Sequence, residues 1–149
     1  IIDNIYFEAK KYNCNVLIPE DCNVSTDFKS NGIIKERNLV SENEIILDIG
    51  PKTIEKIKNL IDQSKTILWN GPAGYFENKA FSTGTLAIAK KISENTENGS
   101  LISVLGGGDT ISALNKSDSK FFFTHLSTAG GAFLEFLEGK DLPGLNVLK

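Results

Sequence analysis

The sequence predicts an α/β fold, a three-layer αβα arrangement with a mostly parallel sheet that forms part of one domain. Short apolar runs of four to six residues alternate along the chain with segments of helical periodicity. Such runs are typical of strands that are buried on both faces of a parallel sheet. Glycine-rich turns also follow several of the predicted strands, at the places where each strand leads into a helix.

Length and composition are those of one ordinary globular domain. The chain has 149 residues, of which 40% are hydrophobic and 23% charged, and its net charge is −3. No apolar run approaches the roughly 20 residues that span a membrane, and Lys and Arg do not cluster with aromatic residues. We therefore expect neither a nucleic-acid nor a membrane partner. Cys14 and Cys22 lack the spacing of a zinc site, so we expect them to be a reduced cytosolic pair.

The elements follow in order along the chain. The first helix is expected over 1–13, where Ile2, Ile5 and Ala9 share one face. Later helices are expected over 51–63, 81–95, 109–117 and 130–139, and strands over 14–19, 65–70, 100–105 and 120–126. Pro51 suits the first turn of its helix, and Gly139 is a helix-ending glycine. The mixed stretch 20–47 predicts a loop with one or two extra strands, and the tail 140–149 is expected to be extended.

The stretch "LGGGDT" places three glycines, Gly106, Gly107 and Gly108, between an apolar strand and a helix. Glycine amides are not obstructed by a Cβ atom, and the start of a helix carries partial positive charge, so the turn is suited to a phosphate group. Asp109 has two interpretations. It caps its own helix, or it binds Mg²⁺, a cation that removes the repulsion between a carboxylate and a phosphate.

Two further turns also follow predicted strands. In "LWNGPAGYFEN" a tight turn precedes Glu77, which is either a solvated side chain or a functional one. In "HLSTAGG" hydroxyls precede Gly130 and Gly131, and Thr128 is either a helix cap or part of a second anion site. Right-handed crossovers place strand-to-helix turns at one edge of the sheet, so two helix starts can face one polyanion. Neither G-x-G-x-x-G nor G-x-x-x-x-G-K-[ST] is present, so the common nucleotide-binding fingerprints give no support. The glycine turns by themselves predict an α/β domain that binds phosphate, most simply the phosphate of a nucleotide.

Four motifs in register, "DIGPKT", "WNGPAGYFE", "LGGGDT" and "HLSTAGGAFLEFLEGKDLPG", closely resemble the C-terminal half of the phosphoglycerate kinases. The similarity runs from the opening helix to Leu145. The resemblance implies a Rossmann-like fold, with residues 1–149 as a C-terminal nucleotide-binding domain that lacks its first part and the N-terminal substrate domain. It also implies a cytoplasmic, monomeric, glycolytic enzyme. That enzyme transfers a phosphoryl group between 1,3-bisphosphoglycerate and ADP, giving 3-phosphoglycerate and ATP, with Mg²⁺.

The same resemblance assigns roles at the phosphate end of the site. Asp109 matches the aspartate that coordinates Mg²⁺, and Thr110 matches a contact to the terminal phosphates. The amides of Gly106, Gly107 and Gly108 are placed beside the transferring group. Gly108, Gly130 and Gly131 are the residues expected to act in catalysis, by stabilising the migrating phosphoryl oxygens through their amides.

At the nucleoside end, the resemblance places Leu47 and Tyr75 on the two sides of the adenine. Asn70 and Pro72 line the cleft, and Glu77 holds the ribose hydroxyls. Ile46 and Tyr75 replace smaller residues that are frequent in the family, and Ala129 replaces a glycine, so the fit of the base and the path of the loop are expected to differ slightly.

The family's substrate-binding arginines and its nucleotide-phosphate lysines belong to segments with no match in this chain. We therefore expect a C-terminal fragment that is inactive by itself; the absence of methionine also indicates that Ile1 is not a translation start. Two alternatives remain open, namely a stand-alone nucleotide-binding module and a structural remnant without a ligand.

Overall fold

The computed structural model describes residues 1–148. The helices are α1 (Ile2–Lys11), α2 (Pro51–Gln63), α3 (Thr83–Glu97), α4 (Gly108–Asn115), α5 (Gly130–Leu137) and α6 (Pro143–Asn146). The strands are β1 (Asp21–Ser25), β2 (Ile33–Glu36), β3 (Ile45–Ile49), β4 (Thr66–Asn70), β5 (Ile102–Gly106) and β6 (His125–Ser127). Two short 3-10 helices cover Arg37–Leu39 and Lys79–Phe81. Within residues 1–148, no helix combines the length and apolar character that crossing a membrane requires.

The strands form two sheets of three strands each. In the second half of the chain β4, β5 and β6 are all parallel, in the order β4-β5-β6, which confirms the predicted α/β arrangement. In the first half β1 pairs antiparallel with both β2 and β3. The mixed stretch 20–47 therefore contributes an antiparallel sheet that lies beside the parallel one.

Helix α3 supplies the centre of the hydrophobic core. Ile88 and Ile92 pack with Ile61 of α2, while Ala89 packs with Leu105 of β5. Because α3 contributes to both buried clusters, it fixes α2 and the parallel sheet relative to each other. The amphipathic patterns predicted for α2 and α3 are confirmed, as is the opening helix α1.

Two expectations about strands are wrong, and one about the tail follows below. Residues 14–19 are not a strand, because this apolar run has no neighbouring strand within residues 1–148 and Leu17 and Ile18 stay about 40% exposed (41% and 39%). Strand β6 begins at His125 rather than at residue 120. The hydroxyls of Ser103 and Thr124 bond to each other's backbone amides at 3.1 Å, so side chains replace the regular ladder there.

The tail is not extended, because Pro143 begins the short helix α6 and the carbonyl of Leu142 accepts from the amides of Leu145 and Asn146. Residue 149 lies outside the described residues. Gly139 does end α5 as predicted, with a φ of 78°. Cys14 is exposed and Cys22 is buried, and both are free thiols.

Candidate functional site

The carboxyl ends of the three parallel strands lie side by side. Asn70 at the end of β4 pairs with Gly106 of β5, and Gly106 pairs with Ser127 of β6. Everything that follows these three residues therefore starts from one edge of the sheet, which is where ligands bind in open α/β sheets.

The two glycine turns after β5 and β6 touch each other. The amide of Gly107 donates to the carbonyl of Ser127 at 3.2 Å. A Cβ atom on Gly130 would lie 2.8 Å from the Cα of Gly107, and one on Gly107 would lie 2.5 Å from Oδ1 of Asn70. Gly107 also has a φ of +96°, a conformation that other residues rarely adopt. Glycine is thus favoured at 130 by close backbone approach and at 107 by the positive φ and the nearby Asn70 side chain, and the predicted meeting of the two turns is confirmed.

Helices α4 and α5 both begin without a side-chain cap. Gly107 is the cap residue of α4 and Ala129 is that of α5, and neither residue's side chain caps its helix. The amide of Ala129 itself donates to Oγ of Ser127 at 3.3 Å, one residue before the helix begins. The first amides of a helix have no acceptor within the helix itself. Two sets of amide donors and two positive helix ends therefore converge at the edge of the sheet.

The two capping interpretations are wrong. Asp109 lies inside the first turn of α4, one residue after its start, and its side chain is exposed. Thr128 precedes the cap residue of α5 and makes no capping bond. A carboxylate that makes no hydrogen bond to its own helix is available to a cation held beside the turn.

Thr110 is fully buried, and its hydroxyl is engaged within the protein. Its Oγ1 accepts from the amide of Gly71 at 2.8 Å and donates to the carbonyl of Gly106 at 3.0 Å. This hydroxyl joins the loop after β4 to the start of α4. Since the whole residue is 0% exposed, Thr110 supports the turn from inside rather than offering a free donor at the surface.

A separate cavity of about 420 Å³ opens beside these turns, between the antiparallel sheet and the loop after β4. Leu47, Pro72 and Tyr75, three of the residues predicted to contact a nucleoside, line this cavity together with Ile46. The amide of Tyr75 donates to the carbonyl of Leu47 at 2.7 Å, and the Tyr75 ring packs edge-on against Phe28. The cavity, called the slot below, is therefore mainly apolar and has an aromatic wall that Phe28 supports.

Glu77 is not part of that slot. Its side chain is exposed and lines a neighbouring cavity of about 530 Å³, where the Lys116 ammonium lies 4.8 Å from the centre of the Phe76 ring. The structure thus brings Asn70 together with the glycine turns. It brings Leu47, Pro72 and Tyr75 together in the slot, and it places Glu77 in a different cavity.

Asp48 is a buried carboxylate on the wall of the slot that the sequence analysis did not single out. It is 2% exposed, and it accepts from the amide of Gly84 at 2.9 Å and from that of Ile49 at 2.8 Å. Burial raises the pKa of Asp48 to about 6, although these amides and that of Thr83 favour the ionised form. An acidic residue within the apolar run "EIILDIG" was the signal that could have found it.

Two other ionisable side chains line the same slot, Cys22 and Arg37. Burial raises the pKa of the Cys22 thiol, and the nearby Asp21 carboxylate raises it further. The thiol is thus neutral near pH 7, which leaves Asp48 and Arg37 as the charged groups of this wall.

The donor set at the glycine turns is suited to a metal that brings its own ligands. Among the residues that the structure describes, no three or more His, Cys, Asp or Glu side chains gather into a group that could hold a metal ion. Asp109 is a single exposed carboxylate in the first turn of α4, at the edge where two uncapped helix starts meet. Mg²⁺ is commonly held by one or two carboxylates, water and the phosphates of a substrate, and this arrangement fits that mode.

Comparison with known proteins agrees with this geometry. A sequence model of the family described as "Phosphoglycerate kinase" matches residues 1–140. The chain belongs to the phosphoglycerate kinase family. It is 44% identical over 146 residues to the phosphoglycerate kinase of Agrobacterium fabrum, covering 97% of this chain and 36% of that protein. It is 44% identical over 150 residues to that of Zymomonas mobilis, covering 99% and 38%.

Solved phosphoglycerate kinases share the fold. The enzyme of Coxiella burnetii superposes with a TM-score of 0.84 at 39% identity, over 98% of this chain and 37% of that one. The enzyme of Pyrococcus horikoshii superposes with a TM-score of 0.77 at 30% identity, over 99% and 36%. The chain therefore spans little more than a third of the length of these relatives.

Proposed function

We propose that this chain is the C-terminal, nucleotide-binding part of a phosphoglycerate kinase, which transfers a phosphoryl group between 1,3-bisphosphoglycerate and ADP in glycolysis in the cytoplasm. One observation carries the proposal: two uncapped, glycine-opened helix starts meet at one sheet edge beside the exposed carboxylate of Asp109. A nucleotide is the ligand whose charged end matches this edge and whose base matches the slot beside it.

In this proposal the two ends of the site take the two ends of the nucleotide. Gly108, an exposed residue, offers its amide to the phosphates, while Gly106, Gly107 and Thr110 shape the turn that holds it, because the Gly107 amide is bonded to Ser127 and the other two residues are buried. Asp109 holds Mg²⁺, which neutralises phosphate charge when it is bound. Leu47 and Tyr75 enclose the base, and Pro72 and Asn70 line the path between the ends. Glu77 would reach the ribose from the rim of its own cavity.

Phosphoryl transfer requires little covalent help from a protein, because its main demands are alignment and stabilisation of charge spread over the phosphoryl oxygens. The rigid start of α4 orients the phosphates of the nucleotide. The amides of Gly108, Gly130 and Gly131 stay aimed at the moving oxygens without having to reorganise, since close backbone packing fixes both turns. The acceptor or donor phosphoglycerate would come from a domain outside this chain, and closure of the two domains would exclude water. We therefore expect a monomeric enzyme in which this part alone does not turn over.

The test is calorimetric titration of the chain with ADP, with and without Mg²⁺. We expect ADP to bind more tightly when Mg²⁺ is present, and Asp109→Asn to remove that difference. Asp3→Asn is the matched control, because Asp3 is also an acidic residue in the first turn of a helix. If Asp109→Asn and Asp3→Asn respond to Mg²⁺ alike, Asp109 does not hold the metal.

A second measurement separates a fragment from a stand-alone module. Adding the family's missing lysine-bearing segment should restore tight Mg-ADP binding to a fragment. Tight binding by the chain alone, with no gain from that segment, would instead support a module, and aggregation without ADP binding in size-exclusion chromatography would support a structural remnant.

A further inference from the structure

We propose that Asp48 is a positioning residue that sets the width of the base slot, and that it does so without taking part in phosphate binding. The inference rests on the proposed function, since it assigns the slot to the base of a nucleotide. It follows from how the Asp48 carboxylate joins three separate segments of the chain.

The carboxylate holds the start of α3 against β3. One oxygen accepts from the amide of Gly84 in the first turn of α3, and the other accepts from the amide of Ile49 beside it in β3. Ser82, the cap residue of α3, makes no side-chain capping bond, so Asp48 serves as the cap from a distant strand. A Cβ on Gly84 would collide with the same carboxylate, so the contact is direct.

The carboxylate also lies against the loop that forms the other side of the slot. A Cβ on Gly74 would lie 2.6 Å from Oδ1 of Asp48, so this loop approaches the carboxylate as closely as a glycine allows. The next residue of α3, Thr85, accepts from the amide of Ala73 through its fully buried hydroxyl at 2.9 Å. Leu47 directly precedes Asp48, and Tyr75 directly follows Gly74, whose backbone lies against the carboxylate, so both walls of the slot are next to Asp48.

The phosphate end is supported by other contacts. The start of α4 is tied to the loop after β4 through Thr110 and Gly71, and to the α5 turn through Gly107 and Ser127. Neither connection includes Asp48 or the first turn of α3. A change at Asp48 should therefore weaken contacts to the base while leaving the phosphate cradle as it is.

The experiment compares two ligands, ADP and inorganic tripolyphosphate, each titrated calorimetrically into the chain with Mg²⁺ present. In Asp48→Asn the side-chain oxygen can accept from only one of the two backbone amides, those of Gly84 and Ile49. The side-chain NH2 then faces the other amide, donor against donor. We expect ADP affinity to fall about tenfold and tripolyphosphate affinity to stay within about twofold, on the scale of one lost buried hydrogen bond.

The matched control is Asp21→Asn. Asp21 is equally buried at 2% exposure and caps α2 through the amides of Lys52 and Thr53, but it does not line the slot. Asp21→Asn should therefore leave the ratio of the ADP affinity to the tripolyphosphate affinity unchanged. If Asp48→Asn fails to fold, Thr85→Val removes the bond to Ala73 and should give the same selective loss in weaker form.

Equal losses for both ligands, or an unchanged ADP affinity, would overturn the positioning role. A native chain that binds ADP no more tightly than tripolyphosphate would instead overturn the assignment of the slot to the base, so the two failures are distinguishable.

Discussion

Four helices of this protein begin in two different ways. The starts of α2 and α3 are closed by buried carboxylates from other elements, Asp21 for α2 and Asp48 for α3. The starts of α4 and α5 carry glycines, receive no side-chain cap and lie at the exposed edge of the parallel sheet. The closed starts hold the fold together, while the open starts leave their donors for a ligand.

Burial explains the difference. An unpaired amide costs free energy when it is buried, so the inner helices need an acceptor from the protein. At the sheet edge water can satisfy the amides until an anion displaces it, and glycine keeps the approach clear. The comparison therefore separates residues that stabilise the fold from residues that we propose bind a ligand, and it can be tested position by position.

The largest effect is expected from Asp21→Ala. The carboxylate of Asp21 accepts from the amides of Lys52 and Thr53 and from the Thr53 hydroxyl. Its removal leaves the two amides without an acceptor, that of Thr53 in a buried place, while the hydroxyl keeps the Asp21 carbonyl at 3.2 Å. The free energy of unfolding should fall by about 3 kcal/mol, as measured by urea denaturation. A loss below about 1 kcal/mol would mean that water replaces the cap.

The next largest effect is expected where the two open starts touch. Gly130→Ala places a Cβ 2.8 Å from the Cα of Gly107, so the backbones must separate, at a cost of about 2 kcal/mol. Gly131→Ala is the matched control, since nothing lies within 4 Å of its Cβ position. The measurement is the urea concentration at the midpoint of unfolding of each variant. Equal shifts of the two midpoints would contradict the close packing of the turns.

A smaller effect is expected from pH, because the pKa values of the two capping aspartates are shifted in opposite directions. Burial raises the pKa of Asp48 from 3.8 to about 6, so its contribution to stability is complete below 3.8 and is lost as the pH rises through 6. For Asp21 burial alone would raise the pKa, but hydrogen bonds from Thr53 and Lys52 outweigh it and lower the pKa below 3.8. Its contribution is therefore complete above 3.8 and is lost only as the pH falls further.

Lowering the pH from 7 to 5 should thus stabilise the native chain relative to Asp48→Asn by about 1 kcal/mol. The measurement is the free energy of unfolding of both proteins at the two pH values, with Asp21→Asn as the control that keeps the native pH response. Parallel pH curves for the native chain and Asp48→Asn would show that Asp48 does not titrate in this range.

The smallest effect on stability is expected at the open start of α4. Asp109→Ala removes an exposed acidic side chain in the first turn of the helix, whose favourable interaction with the helix dipole is about 0.5 kcal/mol. Thermal unfolding should therefore barely change without ligand, even though Mg-ADP binding is weakened. A loss as large as that of Asp21→Ala would place Asp109 among the structural caps and erase the distinction between the two kinds of start.

Some features of this comparison could be predicted from the sequence because they are local. The glycine turns, the helices that follow them and their shared sheet edge come from neighbouring residues and from the handedness of strand-to-helix connections. The family resemblance rests on the same turns. Roles for Asp109 and Gly130 could therefore be predicted, and they stay predictions until ligand binding is measured.

The closed starts depended on contacts between residues far apart in sequence. Asp21 caps a helix 32 residues away and Asp48 one that is 36 residues away, so no local pattern shows either bond. The strand expected over 14–19 is missing for the same reason, because an apolar run becomes a strand only when another strand lies beside it. The separation of Glu77 from the slot is likewise set by how the loop after β4 packs.

The sequence by itself determined which of the longer segments are helical, where glycine turns follow the strands of the parallel sheet, and which positions lack a Cβ atom, since these depend on periodicity and on the size of single residues. Only the tertiary structure decided which helix starts are closed and which strands find partners. Both depend on bringing distant donors and acceptors within hydrogen-bonding distance, and that is a property of the packed molecule.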